Sequence, residues 1–335
     1  MADPVHDPTP GTEWPTGPTS ASVAEIVRDL EVTITRRLDG VLHGNHQGLT
    51  PGHGSEPGES RPYQPGDDVR RIDWNVTART RETHVREQIA DRDLEAWIVV
   101  DASAPMRFGT AGHHKAQVAL AATAAVGFLT ARNQNRLGAV VVAGPAVRVI
   151  PPRAGRVQVR AVLAAVAGAP DSEHRGRPDL GAALDRVGAM SKRRGFVTVV
   201  SDLAGEAWAD PLARLGMRHD LLAALVEDPR ELDVPPIGLV EVVDPATGAA
   251  HEVRVTPEVQ RRYAVAAAAE RAARIDAVHR AGADVVELST DGDWLGAIVR
   301  HVQQRRTQVA RGGVIGRSGG RPTGGPGDAR PGVGR

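Results

Sequence analysis

The chain contains no cysteine, which excludes disulfides, thiolate nucleophiles, cysteine-ligated zinc and iron–sulfur clusters. Aromatics are nearly missing as well: five Trp, three Phe and two Tyr in 335 residues. A core must therefore come from Val, Leu, Ile and Ala. Charge of one sign is also lacking, because 41 Lys and Arg balance 41 Asp and Glu. Nothing in the overall charge draws the chain to a specific nucleic acid, to an anionic membrane surface or to an acidic substrate. The longest apolar stretch, around 116–129, is Ala-rich and falls short of the ~20 residues of a membrane span. Residues 1–19 have neither a basic start nor an apolar run, so no signal peptide is read and a cytoplasmic protein is expected. No Gly-x-x-x-x-Gly-Lys-Ser/Thr loop occurs, and the Gly-x-Ser-x-Gly string at 316–320 lies in the Gly-rich tail and follows no expected strand. The chain is thus not a P-loop ATPase, and that string is no nucleophile elbow.

What is present is an apolar fraction of 41%, which suits a folded protein with a sizeable core. Residues 1–19 and 307–335 are rich in Gly, Pro, Arg and small polar residues and read as disordered tails. Residues 20–93 form an N-terminal segment. Its first part, 20–42, carries Val23, Ile26, Val27, Leu30, Ile34, Leu38 and Leu42 at helical spacing. Residues 44–66 are punctuated by Gly and Pro and read as loop. From 94 to 306 strands and helices alternate. Strands are expected at 94–100, 137–142, 147–150, 196–200, 220–226 and 283–288. Helices are expected at 113–133, 156–167, 179–193, 211–216, 257–281 and 293–306. A hairpin is expected at 239–243 and 251–255 around the turn from Asp244 to Gly248. Thr256-Pro257 reads as a helix N-cap followed by proline at the first helical position. This alternation predicts an α/β fold: a mostly parallel, Rossmann-like sheet with helices on both faces. Ligands on such sheets bind at the C-terminal strand ends. Asp101 and Asp202 each follow a strand there, although Asp also ends strands simply by capping turns.

The most specific string runs Arg61-Pro62-Tyr63-Gln64-Pro65-Gly66-Asp67-Asp68-Val69-Arg70-Arg71-Ile72-Asp73-Trp74, with Ala78-Arg79 soon after. Pro65-Gly66 makes a turn. The acids and arginines lie close enough for bidentate pairs. In an extended chain Ile72 and Trp74 share a face, which suggests a clip pinned by ion pairs and a buried Trp. Arg61, Tyr63, Gly66, Asp67, Asp68, Arg70, Asp73, Trp74 and Arg79 are the candidate interaction residues. They either pin the segment onto the α/β domain or form a recognition surface.

This string resembles the signature of the domain of unknown function family 58. So does Val99-Val100-Asp101-Ala102-Ser103-Ala104-Pro105-Met106, where that family has Asp-x-Ser-x-Ser-Met. The resemblance implies a von Willebrand factor A-like fold without an assigned enzymatic activity. It implies partnership with a MoxR-type AAA+ ATPase in assembling or remodelling an unidentified client protein. It also raises the metal-ion-dependent adhesion site of von Willebrand A domains, in which magnesium bridges to a carboxylate of the partner. Asp101, Ser103 and Asp202 match three positions of that site. Pro105 and Pro178 stand where two hydroxyl ligands are expected. The site thus reads as degenerate, with Asp179 or Ser201 as possible substitutes, and magnesium-dependent adhesion is the alternative function.

Three other features carry less. His43, His46 and His53 sit in a loop without further ligands and read as solvated. His113-His114-Lys115 opens a helix and reads as exposed first-turn residues. The mixed-sign run from Arg86 to Glu95 reads as a solvated, ion-paired face.

Overall fold

The computed structural model describes residues 28, 30–34, 36, 60–63, 72–86, 94–132, 135–143, 146–169, 178–244 and 247–315. Residues 1–19, the loop histidines and most of the mixed-charge run lie outside them. Of the expected C-terminal tail, 307–315 instead continue the last helix, which corrects where that tail begins, and 316–335 lie outside.

Six strands form the main sheet: β3 (Glu95–Asp101), β4 (Arg136–Ala143), β5 (Ala146–Arg153), β6 (Phe196–Ser201), β7 (Asp220–Glu227) and β10 (Ala283–Ser289). Their order is β10-β7-β6-β3-β4-β5. All neighbours run parallel except β4 and β5, which are antiparallel. The tight connection between β4 and β5 explains the exception, since a parallel pairing needs a crossover of a dozen or more residues. The remaining strands are β1 (Ser60–Pro62) with β2 (His84–Arg86), and β8 (Gly238–Val243) with β9 (Ala250–Val255), two separate antiparallel ribbons.

The helices are α1 (Trp74–Thr80), α2 (Lys115–Arg132), α3 (Arg156–Ala167), α4 (Leu180–Met190), α5 (Ala209–Gly216), α6 (Pro257–Arg280) and α7 (Trp294–Ile315). Thr256 caps α6 through a bond from the Val259 amide, 3.3 Å. That is the geometry expected of an N-cap before proline.

Strand β3 is buried on both sides, and alternate residues serve different layers. Ile98 and Val100 join one core with Val118 and Ala122 of α2, Val159 and Leu163 of α3 and Leu295 and Ile298 of α7. Trp97 and Val99 join the other with Leu184 of α4, Leu212 of α5 and Val278 of α6. This two-sided burial is why the strand reads as a continuous apolar run. The near absence of aromatics shows in α2, whose inner residues are mostly Ala and Val with a single Phe. Small side chains let this helix lie close to the sheet. Trp97 fills the opposite layer at 2% exposure. Its paired residue on β4 is Gly138, and a Cβ there would stand 2.8 Å from the Trp97 ring. The glycine makes room for the one large aromatic of β3.

The N-terminal segment takes part in this core. Leu30 and Ile34 are buried in the α2/α3 layer. Glu31 is held by Arg160, at 2.7 and 3.0 Å, and by Arg156 at 3.4 Å. The helical spacing of residues 30 and 34 therefore marks a face of the domain core.

Trp97→Ala is expected to cost about 3–5 kcal/mol, the range for truncating a buried aromatic. Urea unfolding of wild type and variant checks this, and a loss below about 1 kcal/mol would contradict the packing described.

Candidate functional site

Because β3, β6, β7 and β10 are parallel neighbours, their C-terminal ends share one rim of the sheet. Each end supplies a polar residue: Asp101 from β3, Ser201 and Asp202 from β6, Asp228 from β7 and Thr290 from β10. All five are buried. A buried carboxylate is tolerated only where donors surround it, and each acid here has its own set.

Asp101 Oδ1 accepts the Ser103 amide at 2.9 Å, and Oδ2 accepts the Ser201 hydroxyl at 2.9 Å. Burial, and next the negative charge of Asp202, push its carboxyl up to about 6. Asp202 Oδ1 accepts the Ala204 amide at 3.0 Å, and Oδ2 takes the Lys115 ammonium at 2.8 Å. The Asp202 carbonyl accepts from the Arg274 guanidinium at 2.7 Å. Leu203, next in the chain, adopts φ 53°, which is uncommon for a bulky residue and costs backbone energy.

Asp228 is wholly buried and accepts four bonds: the Thr110 amide at 2.8 Å, the Thr110 and Thr290 hydroxyls at 2.6 Å each, and the Arg230 amide at 2.9 Å. Burial pushes this carboxyl up, but those bonds outweigh it and hold it below the ordinary range. Thr110 lies in the β3–α2 loop and Thr290 follows β10, so Asp228 ties both to the end of β7.

Lys115, the first residue of α2, is 1% exposed. Its ammonium meets Asp202 Oδ2 at 2.8 Å and Glu231 Oε1 at 2.5 Å. Burial disfavours the charged lysine, yet the two carboxylates more than compensate and hold its pKa above the usual value. Glu231 ends a short 3-10 turn, Pro229–Glu231, in which Asp228 and Glu231 cap each other reciprocally: Glu231 Oε2 accepts the Asp228 amide at 2.9 Å.

The adhesion-site triad expected from the sequence thus sits together at the rim, but its surroundings do not fit magnesium. Pro105 and Pro178 offer no side-chain oxygen. Asp202 is engaged by Lys115, and Asp179 caps α4 through the Ala182 amide at 2.8 Å. Ser201 is spent on Asp101. Ser103 Oγ is buried without a hydrogen-bond partner and is the single hydroxyl of the expected set left over. Among the described residues no three His, Asp or Glu side chains gather in metal-ligand geometry. The expectation that His113-His114-Lys115 are exposed is corrected at Lys115, which is among the most buried side chains of the chain.

The described residues cover part of the signature string. Gly66, Asp67, Asp68 and Arg70 lie outside the described residues, and of Arg61 only the backbone is described, in β1. The Tyr63 amide donates to the Thr83 carbonyl at 2.7 Å. Asp73 is buried and caps α1, accepting the Asn75 and Val76 amides at 3.1 and 3.2 Å. The Asp73 amide donates to the His84 carbonyl at 2.8 Å, and Ile72 bridges to Val85. Arg79 is exposed in the last turn of α1. Trp74 is 71% exposed, which corrects the expected clip. Asp73 starts a helix instead of continuing an extended chain, so Ile72 and Trp74 do not share a face.

An open cavity of about 390 Å³ lies at the opposite end of the sheet, beside Arg194, Met217, Arg218, His219 and Arg305. Arg194 is paired with Asp220 at 3.1 Å and Arg305 with Asp284 at 2.5 Å, so much of its positive charge is already neutralised. Lys115, Thr110, Asp228 and Glu231 escaped the reading of the sequence. Asp228 was within its reach, because it follows a strand just as Asp101 and Asp202 do.

Residues 59–273 match the family model described as "Protein of unknown function DUF58". The chain belongs to this family. Its α/β sheet, with helices on both faces and a polar rim at the strand ends, is of the kind that the family resemblance implies. Relatives include "Uncharacterized protein Mb1516" of Mycobacterium bovis and "Uncharacterized protein Rv1480" of Mycobacterium tuberculosis. Each is 46% identical over 285 residues, covering 85% of this chain and 90% of the relative. "Uncharacterized protein MAV169" of Mycobacterium avium is 36% identical over 169 residues, covering 50% of this chain and 98% of that protein. Similar solved structures include the conserved hypothetical protein BatB from Bacteroides thetaiotaomicron, at 11% identity and TM-score 0.40, covering 65% of this chain and 99% of that one. The SpRpn10 VWA domain aligns at 12% identity and TM-score 0.34, covering 62% and 94%. No helix among the described residues is long and apolar enough to cross a membrane.

Two outcomes are expected. Trp74→Ala leaves stability within about 0.5 kcal/mol, as for an exposed side chain; a loss of several kcal/mol in urea unfolding would restore the clip. The raised carboxyl of Asp101 means that the folded chain holds that proton more tightly than the unfolded chain does. Raising the pH from about 4 to about 7 therefore removes the contribution of this group, and Asp101→Asn is expected to gain on wild type by up to about 3 kcal/mol over that window. Parallel pH dependences of the two proteins would contradict this.

Proposed function

We propose that this protein is a non-catalytic interaction protein, an adaptor that uses the C-terminal rim of its sheet to engage a MoxR-type AAA+ ATPase. Together the two assemble or remodel a client protein. The observation that carries the reading is the saturation of the rim. Asp101, Asp202 and Asp228 have both oxygens bonded to groups of the protein itself. A general base or a nucleophile needs an acid that a substrate can reach, and these three are at most 6% exposed. The same bonds hold the loops after β3, β6, β7 and β10 in one fixed relief, which suits preorganised docking.

The ATPase partner comes from the family resemblance; the rim supplies the surface for it. Phe108, in the β3–α2 loop, is 39% exposed, and an exposed aromatic on a rigid loop is the type of residue that anchors an interface. Its carbonyl accepts the Lys115 amide at 2.9 Å, so it is fixed to the buried cluster.

Binding to a MoxR-type ATPase encoded beside this gene, measured by pull-down and calorimetry with ATP analogue, with ADP and without nucleotide, tests the proposal. Association in at least one nucleotide state is expected, weakened at least tenfold by Phe108→Ala at unchanged melting temperature. Absence of association in every state would overturn the adaptor reading, and turnover of a small compound by the purified chain would overturn the non-catalytic one.

A further inference from the structure

A metal-dependent rim and this rim differ in one feature, which is where the positive charge comes from. We propose that Lys115 is the built-in cation of this surface. Its ammonium takes the place of a divalent metal and Glu231 takes the place of a partner's carboxylate, so the rim is held together without metal.

Four observations support this. The ammonium is bonded to Asp202, the acid that follows β6, at 2.8 Å. It is also bonded to Glu231 at 2.5 Å, and the Glu231 side chain is 35% exposed. The cluster therefore opens to solvent on its Glu231 side, where an outside carboxylate would arrive. Next, the two positions expected to carry metal-binding hydroxyls are prolines, Pro105 and Pro178. A metal would have to fill those places in its octahedral shell with water, whereas an ammonium carries three donors and seeks acceptors. The loss of the two hydroxyls leaves the ammonium's bonds untouched. Third, charge is balanced differently. A divalent ion would neutralise two acids, while Lys115 offers one positive charge to Asp202 and Glu231. Asp101 is left to be satisfied by the Ser103 amide and the Ser201 hydroxyl. Fourth, Glu231 is delivered by a capped turn whose other oxygen is fixed on the Asp228 amide, so its position is built into the fold.

The proposal rests on reading the rim as the binding surface, but its test needs no partner, so failure to find an ATPase leaves it standing or falling by itself. The purified full chain is titrated with MnCl2, and free Mn²⁺ is read by electron paramagnetic resonance. Wild type is expected to show no site tighter than about 1 mM. In Lys115→Ala the tethered charge is gone and two carboxylates face the vacated space. One or two carboxylates plus waters suffice for such an ion, so this variant is expected to take up one Mn²⁺ and to lose it again in Lys115→Ala/Asp202→Ala. Stoichiometric Mn²⁺ uptake by wild type overturns the proposal. So does a Lys115→Ala protein that folds and takes up none, for then the ammonium is an ordinary buried ion pair. Lys115→Met keeps the aliphatic stem and replaces the alanine variant if that one does not fold. Should both be unfolded in metal-free buffer, folding restored by millimolar MnCl2 supports the proposal, and failure to fold with the ion overturns it.

Discussion

One buried ammonium organises the functional end of this molecule. Lys115 has nearly all of its surface removed from water, and a lone ammonium in that position would be intolerable. Asp202 and Glu231 make it tolerable, and their positions follow from its demand. Asp202 ends the strand beside β3, and Glu231 lies on the turn after β7. Lys115 therefore joins the start of α2 to the ends of two strands. Asp228 makes the complementary join with its four accepted bonds, reaching the β3–α2 loop and the end of β10. Between them the two clusters connect the segments that follow β3, β6, β7 and β10.

This arrangement has an energetic character of its own. Buried ion pairs contribute little net stability compared with apolar packing, but losing one partner is costly, about 3–5 kcal/mol. The rim is thus a place where single changes are punished although the cluster as a whole is no great stabiliser. The stability of the fold comes from the two apolar layers on either side of β3. The polar cluster determines which loop arrangement those layers present to solvent. A rigid rim whose three strand-end aspartates are buried and saturated is consistent with surface recognition.

Parallel topology also explains why residues far apart in the chain meet. Asp101, Asp202, Asp228 and Thr290 are each local strand-end residues. Only the order β10-β7-β6-β3 brings them side by side. The same order separates the rim from the cavity at the N-terminal strand ends.

The alternation of apolar runs and helical periods was sufficient to read the sheet, its helices and the rim position of Asp101 and Asp202, because those signals are local: burial on two faces leaves a continuous apolar run, and an N-cap sits before its helix. That positions 105 and 178 offer no side-chain oxygen was legible too, since both are proline. Position 74 was misread because an extended strand and a capped helix start from similar residues, and the choice turned on Asp73 accepting the Asn75 and Val76 amides. Lys115 was misread for a deeper reason. A lysine in the first turn of a helix is normally solvated, and only the convergence of two acids from other strand ends makes its burial possible. Charge partners separated by 87 and 116 residues leave no periodic trace, so the tertiary structure alone decides where the cation of the rim resides.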